Sequence, residues 1–253
     1  MTKTCINEKQ IQEFIEQLDS VNIETTNRCN MLKEHKKCPL AKRREKFGDC
    51  VLDVKVIKDV LRMLNEYGFK GRIGLHHYAE PLVDERILDI IKLCRELCPK
   101  GKVNIWTNGV LLTKAFAEEM LRAGVYWLRV SAYSEVEYQR LTPIIEELHL
   151  NFVDKKCEIF KQDLDNRISV YDNQVSNLNK PCLVVQDLLT INSMGELQLC
   201  CNDYLVAYRF GNVYETPLMD ILKNSNYLEM REALLLGKRY KYDICSRCIS
   251  HCP

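Results

Sequence analysis

The sequence predicts an α/β fold: a parallel sheet with helices packed outside it. Two observations predict this. Apolar strands alternate with amphipathic helices at least four times, the order of βαβ units. The unusual polar clusters of that stretch each follow a strand, and in parallel sheets ligands bind at the carboxyl ends of the strands.

The elements follow in order. INEKQIQEFIEQL reads as an amphipathic helix, with Ile11, Phe14, Ile15 and Leu18 at helical spacing. VNIET is a short strand ending at residue 25, and a polar, basic loop runs from it to Asp49. VKVIKDVLRMLNEYG sets Val56, Val60, Leu61 and Leu64 on one helical face and stops at Gly68. RIGLHHY reads as a strand and DERILDIIKLCREL as a helix, with Cys94 and Cys98 as core residues four apart on it. VNIWTNG is a strand with a turn, and TKAFAEEMLRAG a helix ending at Gly124. VYWLRVSAY is a further apolar strand. SEVEYQRLTPIIEEL is helical in part, with Pro143 as a break or kink. After residue 150 the chain turns polar and rich in Asn and Asp. Beyond Pro181, CLVVQDLLTINSMGELQLCC reads as two strands around a turn, and LMDILKNSNYLEMREALLLGK as helix leading into DICSRCISHCP. We place a boundary near residue 180, giving segments 1–180 and 181–253.

Composition narrows the function. The 253 residues hold 36 Lys and Arg against 35 Asp and Glu, a net charge of +1. That balance carries no electrostatic footprint for nucleic acid or an acidic membrane. No apolar run approaches a bilayer span, and MTKTCINEKQIQEF lacks the basic-then-apolar pattern of a signal peptide. The expectation is a cytoplasmic protein with no nucleic-acid or membrane partner.

Thirteen Cys stand out, and in a reducing compartment clustered Cys bind metal or do redox chemistry. Cys245 and Cys248 form a CxxC, and Cys182 and Cys200 flank the expected hairpin, so strand pairing brings them together. Four thiolates suit a 4Fe–4S cluster or a zinc ion, which spacing alone does not separate. Cys29 and Cys38 sit in the basic loop, where nearby lysines favour thiolates. The KEHKK and KRREK runs read either as a solvated loop or as a surface for an anionic substrate. His76 and His77 alternate along their strand, so one faces each side, which reads either as a His lining the site near Glu80 or as a satisfied buried His.

ETTNRCN followed by CP resembles the cluster loop of radical S-adenosylmethionine (AdoMet) enzymes. HHYAEPLVDERI is similar to that family's second-strand motif, and WTNGVLL to its TNG motif near the ribose. CLVVQDLLTINSMGELQLC, RFGNVYETPLMDIL and the final CSRC resemble its SPASM or twitch extension. The resemblance spans nearly the whole chain. It implies a partial (βα)6 TIM-like barrel over residues 1–180 and an auxiliary-cluster extension over 181–253. It places Cys29 and Cys38 as cluster ligands, Tyr78 and Glu80 in the motif that meets the methionyl amine, Thr107 and Asn108 in TNG, and Ser131 near the ribose. Cys182, Cys200, Cys245 and Cys248 match the auxiliary ligands, and Arg167 lies where a relative has an active-site Arg. The departure is the loop CNMLKEHKKCP, which lacks the family's middle Cys. A third ligand then comes from Cys50, from His35, or from neither.

The function implied is an enzyme, a dehydrogenase-like oxidoreductase. AdoMet is cleaved to a 5′-deoxyadenosyl radical, which takes hydrogen from a small polyol, amino-cyclitol, sugar or peptide side chain. One 4Fe–4S cluster binds AdoMet, a second is auxiliary, and flavodoxin or ferredoxin supplies electrons. The alternative is a non-cleaving member that acts as an iron–sulfur binding or electron-transfer protein.

Overall fold

The computed structural model describes residues 6–34, 38–148, 152–154 and 179–248. The segment before 181 supplies α1 (Glu8–Gln17), β1 (Ser20–Ile23), α2 (Leu40–Phe47), α3 (Val54–Glu66), β2 (Arg72–Gly74), α4 (Ile87–Leu97), β3 (Lys102–Thr107), α5 (Lys114–Ala123), β4 (Trp127–Ser131), α6 (Glu135–Glu147) and β5 (Phe152–Asp154). After it come α7 (Val184–Asp187), β6 (Leu188–Ile191), β7 (Leu197–Gln198), α8 (Leu218–Leu222), α9 (Ser225–Leu235) and α10 (Asp243–Arg247). Among the described residues no helix is long and apolar enough to cross a membrane.

Local chemistry starts and stops these elements as expected. Asn7 and Gln10 form a reciprocal capping box on α1, satisfying two otherwise orphaned N–H groups. Asp53 caps α3, which buries Val56, Ile57, Val60, Leu61 and Leu64. Pro143 does not break α6, which continues to Glu147. The Thr142 hydroxyl donates to the Tyr138 carbonyl one turn back at 2.8 Å, adding a bond in the turn where proline has no N–H to give.

The sheet has strand order β5-β4-β3-β2-β1-β6-β7. The first six strands are parallel and only β7 runs antiparallel, through the hairpin of the TINSMGEL turn. This is the open, six-stranded parallel arrangement of a partial barrel. β6 pairs directly with β1, so one sheet runs across the boundary near residue 180.

Strand alternation divides the sheet into two faces. Val21, Ile23, Ile73, Val103, Ile105, Leu128 and Val130 are buried in the main core with the apolar stripes of the helices. Asn22, Gly74, Asn104, Trp106, Arg129 and Ser131 take the other face. There the backbones crowd: a Cβ on Gly74 would run into the Asn22 side chain.

One element departs from the sequence reading. The basic loop contains α2, whose Leu40 and Arg43 are buried, so KRREK is not merely a solvated run. No apolar periodicity announces this helix because its deepest contact is ionic. Arg43 lies 1% exposed against Glu24 at 0%, with Nη2 donating to Glu24 Oε2 at 3.2 Å. Arg43 Nη1 donates to the Tyr204 carbonyl at 2.8 Å and to Gln198 Oε1 at 3.3 Å, and its guanidinium lies 4.6 Å from the Tyr78 ring centroid. Glu24 also accepts from the backbone N–H and hydroxyl of Ser193 at 3.0 and 2.9 Å, and from the Tyr78 N–H at 3.2 Å.

Breaking a buried pair leaves the other charge uncompensated, at a cost of about 3–5 kcal/mol. Arg43→Ala is therefore expected to lower the urea midpoint by that amount of stability. Glu24→Gln combined with Arg43→Met should recover most of the loss, read in the same denaturation curves.

Candidate active site

The three motifs of the barrel segment meet at Glu80. Its N–H donates to the Arg28 carbonyl at 3.0 Å, tying it to the residue before Cys29. Its Oε1 accepts from the Thr107 hydroxyl at 2.6 Å and the Leu82 N–H at 3.0 Å, and its Oε2 from the Asn108 N–H at 2.7 Å. Burial pushes the Glu80 carboxyl above the usual carboxylate range, against the pull of these three donors. The Asn108 side chain donates to Asn30 Oδ1 at 2.7 Å and stands 4.0 Å from Cys29 Sγ. Loop, carboxylate and TNG turn are thus one hydrogen-bonded unit.

The turn itself demands glycine. Gly109 has φ +77°, and a Cβ there would stand 2.6 Å from Leu141 and 2.7 Å from Val130. Arg140 fixes the turn from α6, donating to the carbonyls of Gly109 and Leu112, each at 2.7 Å.

Cys29 accepts from the Met31 N–H at 3.4 Å. Burial pushes its thiol up to about 11, with smaller upward contributions from the negative charge of Glu80 and of Cys38. Cys29 and Cys38 both pack on a small apolar cluster of Leu40, Tyr78, Tyr204 and Ile244, and Cys248 packs on the same cluster. Cys50 sits apart from the pair. Its backbone is paired with Asn27, two residues before Cys29: the Cys50 N–H donates to Asn27 Oδ1 at 2.8 Å, and the Asn27 N–H to the Cys50 carbonyl at 3.1 Å. Its thiol rests 3.5 Å from the Phe47 carbonyl. His35 and Arg167 lie outside the described residues.

In the C-terminal segment, Cys200 is half-buried near Cys201 and Cys245, and desolvation drives its thiol far up. Asn202 donates to Cys200 Sγ through its N–H at 3.4 Å and to Cys248 Sγ through Nδ2 at 3.1 Å. The Cys248 N–H bonds the Cys245 carbonyl at 3.4 Å, closing the CxxC turn, and Cys182 is pinned by its N–H to the Leu234 carbonyl at 2.9 Å. Among the described residues, no three His, Cys, Asp or Glu side chains form a group set to hold a metal ion. The donors nevertheless fit iron–sulfur chemistry in type: soft thiols, largely sheltered, with N–H groups turned toward sulfur.

Tyr78 is committed to the seam between the two segments. Its hydroxyl donates to the Cys201 carbonyl and accepts from Gln198 Nε2, the latter at 3.1 Å. Gln198 Nε2 also reaches the carbonyls of Cys200 at 3.1 Å and Asp203 at 3.0 Å. Ser131 Oγ accepts from Trp106 Nε1 at 2.7 Å. Trp106 is 37% exposed; the Arg129 guanidinium lies 3.9 Å from its ring centroid and His76 meets it edge-on. Asn104 Oδ1, on the same sheet face, is buried with no hydrogen-bond partner among the described residues. The sequence reading named Ser131 and kept His76 open, but missed Asn104, Trp106, Arg129, Gln198 and Asn202. Polar residues breaking into apolar strands, Asn104 in VNIW and Gln198 in ELQL, were the available signal.

Fold and site together resemble those of radical AdoMet proteins: a partial barrel with its Cys loop, buried Glu and TNG turn, joined to a Cys-rich extension. Residues 182–249 match the SPASM family, an iron–sulfur cluster-binding domain. Among named proteins, the chain is similar to the S-adenosyl-L-methionine-dependent 2-deoxy-scyllo-inosamine dehydrogenase of Niallia circulans, at 26% identity over 234 residues, 90% of this chain and 91% of that one. Its fold is shared with the crystal structure of BtrN in complex with AdoMet and 2-DOIA (TM-score 0.76, 23% identity, 92% of this chain and 93% of that one). It is also shared with an open conformation of BtrN (TM-score 0.68, 21% identity, 92% of each chain).

Burial orders the thiols by reactivity. Cys94, pushed up to about 12 by burial, is shielded as a neutral thiol, whereas Cys50 is partly exposed. In the metal-free protein, alkylation mapped by mass spectrometry should reach Cys50 well before Cys94.

Proposed function

We propose that the chain is an AdoMet-dependent radical oxidoreductase acting on a small substrate that carries hydroxyl or amino groups. The observation that carries this reading is the convergence of the Cys29 loop, Glu80 and the TNG turn on one buried point. When bound, AdoMet on a reduced 4Fe–4S cluster supplies a carbon radical able to take hydrogen from C–H, and an auxiliary cluster supplies an electron sink. Flavodoxin or ferredoxin is the proposed source of the priming electron.

The residues divide the work. Cys29 and Cys38 would hold the first cluster, with Cys50 as third ligand. Its backbone pairing with Asn27 anchors it beside the loop, and its weak thiol contacts with carbonyls are easily given up. Glu80 would receive the methionyl ammonium. Oε2 accepts one bond from the protein and keeps a lone pair for a charged donor. Thr107 and Asn108 hold that carboxylate, and Ser131 stands near the ribose. Cys182, Cys200, Cys245 and Cys248 would hold the auxiliary cluster in the segment 181–253.

For the substrate, Trp106 offers an aromatic wall, kept in place by Arg129 and Ser131. Asn104 Oδ1 offers an acceptor to a hydroxyl or ammonium group. These features suit a small polar ring better than a peptide side chain, and the relative named for 2-deoxy-scyllo-inosamine supports that preference. Arg167 is kept as a substrate contact on the strength of the resemblance. The second reading, a non-cleaving iron–sulfur protein, draws on Cys50 standing apart from Cys29 and Cys38.

Anaerobic loading with iron and sulfide, reduction and addition of AdoMet should yield 5′-deoxyadenosine. Cys29→Ala and Cys50→Ala should each abolish it. No product from the iron-loaded wild type would favour the second reading.

Glu80→Gln should weaken AdoMet binding about 10–100-fold, the worth of a charge-assisted hydrogen bond of about 1.5–3 kcal/mol. The sign of the pH effect follows from the raised carboxyl. Glu80 protonates at a higher pH than an ordinary Glu, so affinity should fall on acidification from above the usual carboxylate range, and Glu80→Gln should lose that dependence in calorimetric titrations.

A further inference from the structure

We propose that Asn202 is a positioning residue that sets the reduction potential of the auxiliary cluster. The inference rests on the reading that Cys182, Cys200, Cys245 and Cys248 hold such a cluster. Asn202 is buried, and it donates to sulfur atoms from two separate segments. Its backbone N–H reaches Cys200 Sγ at 3.4 Å, and its Nδ2 reaches Cys248 Sγ at 3.1 Å. Cys200 lies two residues beyond the β7 strand, while Cys248 ends α10 at the CxxC turn. One side chain therefore spans the two halves of the ligand set.

The chemistry gives a sign. A cluster gains negative charge on reduction, and that charge spreads onto its thiolate sulfurs. An N–H turned toward sulfur stabilises the reduced form more than the oxidised one and raises the potential. Outer donors of this kind also fix the orientation of their ligand. Replacing Asn202 by Leu removes the Nδ2 donor at similar size. Replacing it by Asp keeps the shape and puts negative charge beside Cys248. The backbone donor to Cys200 remains in both.

The test uses the full chain with Cys29→Ala and Cys38→Ala, so that only C-terminal iron is read. After loading with iron and sulfide, iron is counted and the midpoint potential is measured by EPR-monitored redox titration. The expected result is the same iron content in all three proteins. Asn202→Leu shifts the midpoint negative, and Asn202→Asp shifts it further. An unchanged midpoint at equal iron content overturns the proposal while leaving the auxiliary cluster in place. Loss of iron from both Asn202 variants makes the residue a structural support and also overturns it. Absence of iron from the parent overturns the cluster reading together with the proposal.

Discussion

The buried Glu24–Arg43 pair is the contact on which the rest of the molecule depends. Glu24 follows the first strand, and Arg43 arrives from the helix that follows the Cys29–Cys38 loop. Neither charge has water to fall back on, so the pair persists only because other groups complete it. Ser193 and Tyr78 satisfy the carboxylate; Gln198 and the Tyr204 carbonyl satisfy the guanidinium. Those partners come from the strand-two motif and from the C-terminal segment. The cost of burying two charges thus fixes the place of the cluster loop against both the barrel and the extension. A purely apolar contact at this point would hold the pieces together with less control of direction.

The same seam explains why the two Cys regions behave as neighbours although the sequence sets them over 140 residues apart. Leu40, Tyr78, Tyr204 and Ile244 form a small dry cluster on which Cys29, Cys38 and Cys248 all pack. Dry surroundings raise thiol pKa values, as Cys29 and Cys200 show. On the proposed assignment, metal loading at either site would have to expel protons from thiols that prefer to keep them, and the metal–thiolate bonds would supply that free energy. Low dielectric then favours whichever sulfur has an N–H turned toward it, which gives Met31 at Cys29 and Asn202 at Cys200 and Cys248 a common role.

Much of this was legible in the sequence, for definite reasons. Strands and helices of the barrel segment announce themselves by apolar periodicity, since Val21, Ile73, Val103 and Leu128 must meet helices on one face. Glu80, Thr107 and Asn108 stood out through the resemblance of HHYAEP and WTNG to known motifs, and the fold brings the three together. Helix α2 was not legible: its anchor is an arginine, and a basic run is a poor witness to burial. The hydroxyl of Tyr78 reaches the Cys201 carbonyl and Gln198, a contact that the motif alone does not reveal, because a motif fixes position along the chain and not the partner of a side chain. Asn104, Trp106 and Arg129 were passed over for a similar reason. Alternation in VNIW and WLRV marks Val103, Ile105, Leu128 and Val130 for the helix face, but it does not say that Asn104, Trp106 and Arg129 on the other face gather at one place.

That alternation also bears on how substrate and cofactor share the site. Trp106 and Thr107 are adjacent on β3, so alternation sends them to opposite faces. Thr107 turns to Glu80 and the AdoMet motifs, while Trp106 turns to Arg129, His76 and Ser131. On the proposed assignment, one rigid strand end would carry both the cofactor hook and the aromatic wall, with their separation set by the peptide between them. A reaction that moves one hydrogen atom needs donor and acceptor held to a fraction of an ångström. Placing both determinants on consecutive residues of a central strand meets that need better than any loop. Substrate identity can then vary through the remaining walls while the distance to the reacting carbon stays fixed.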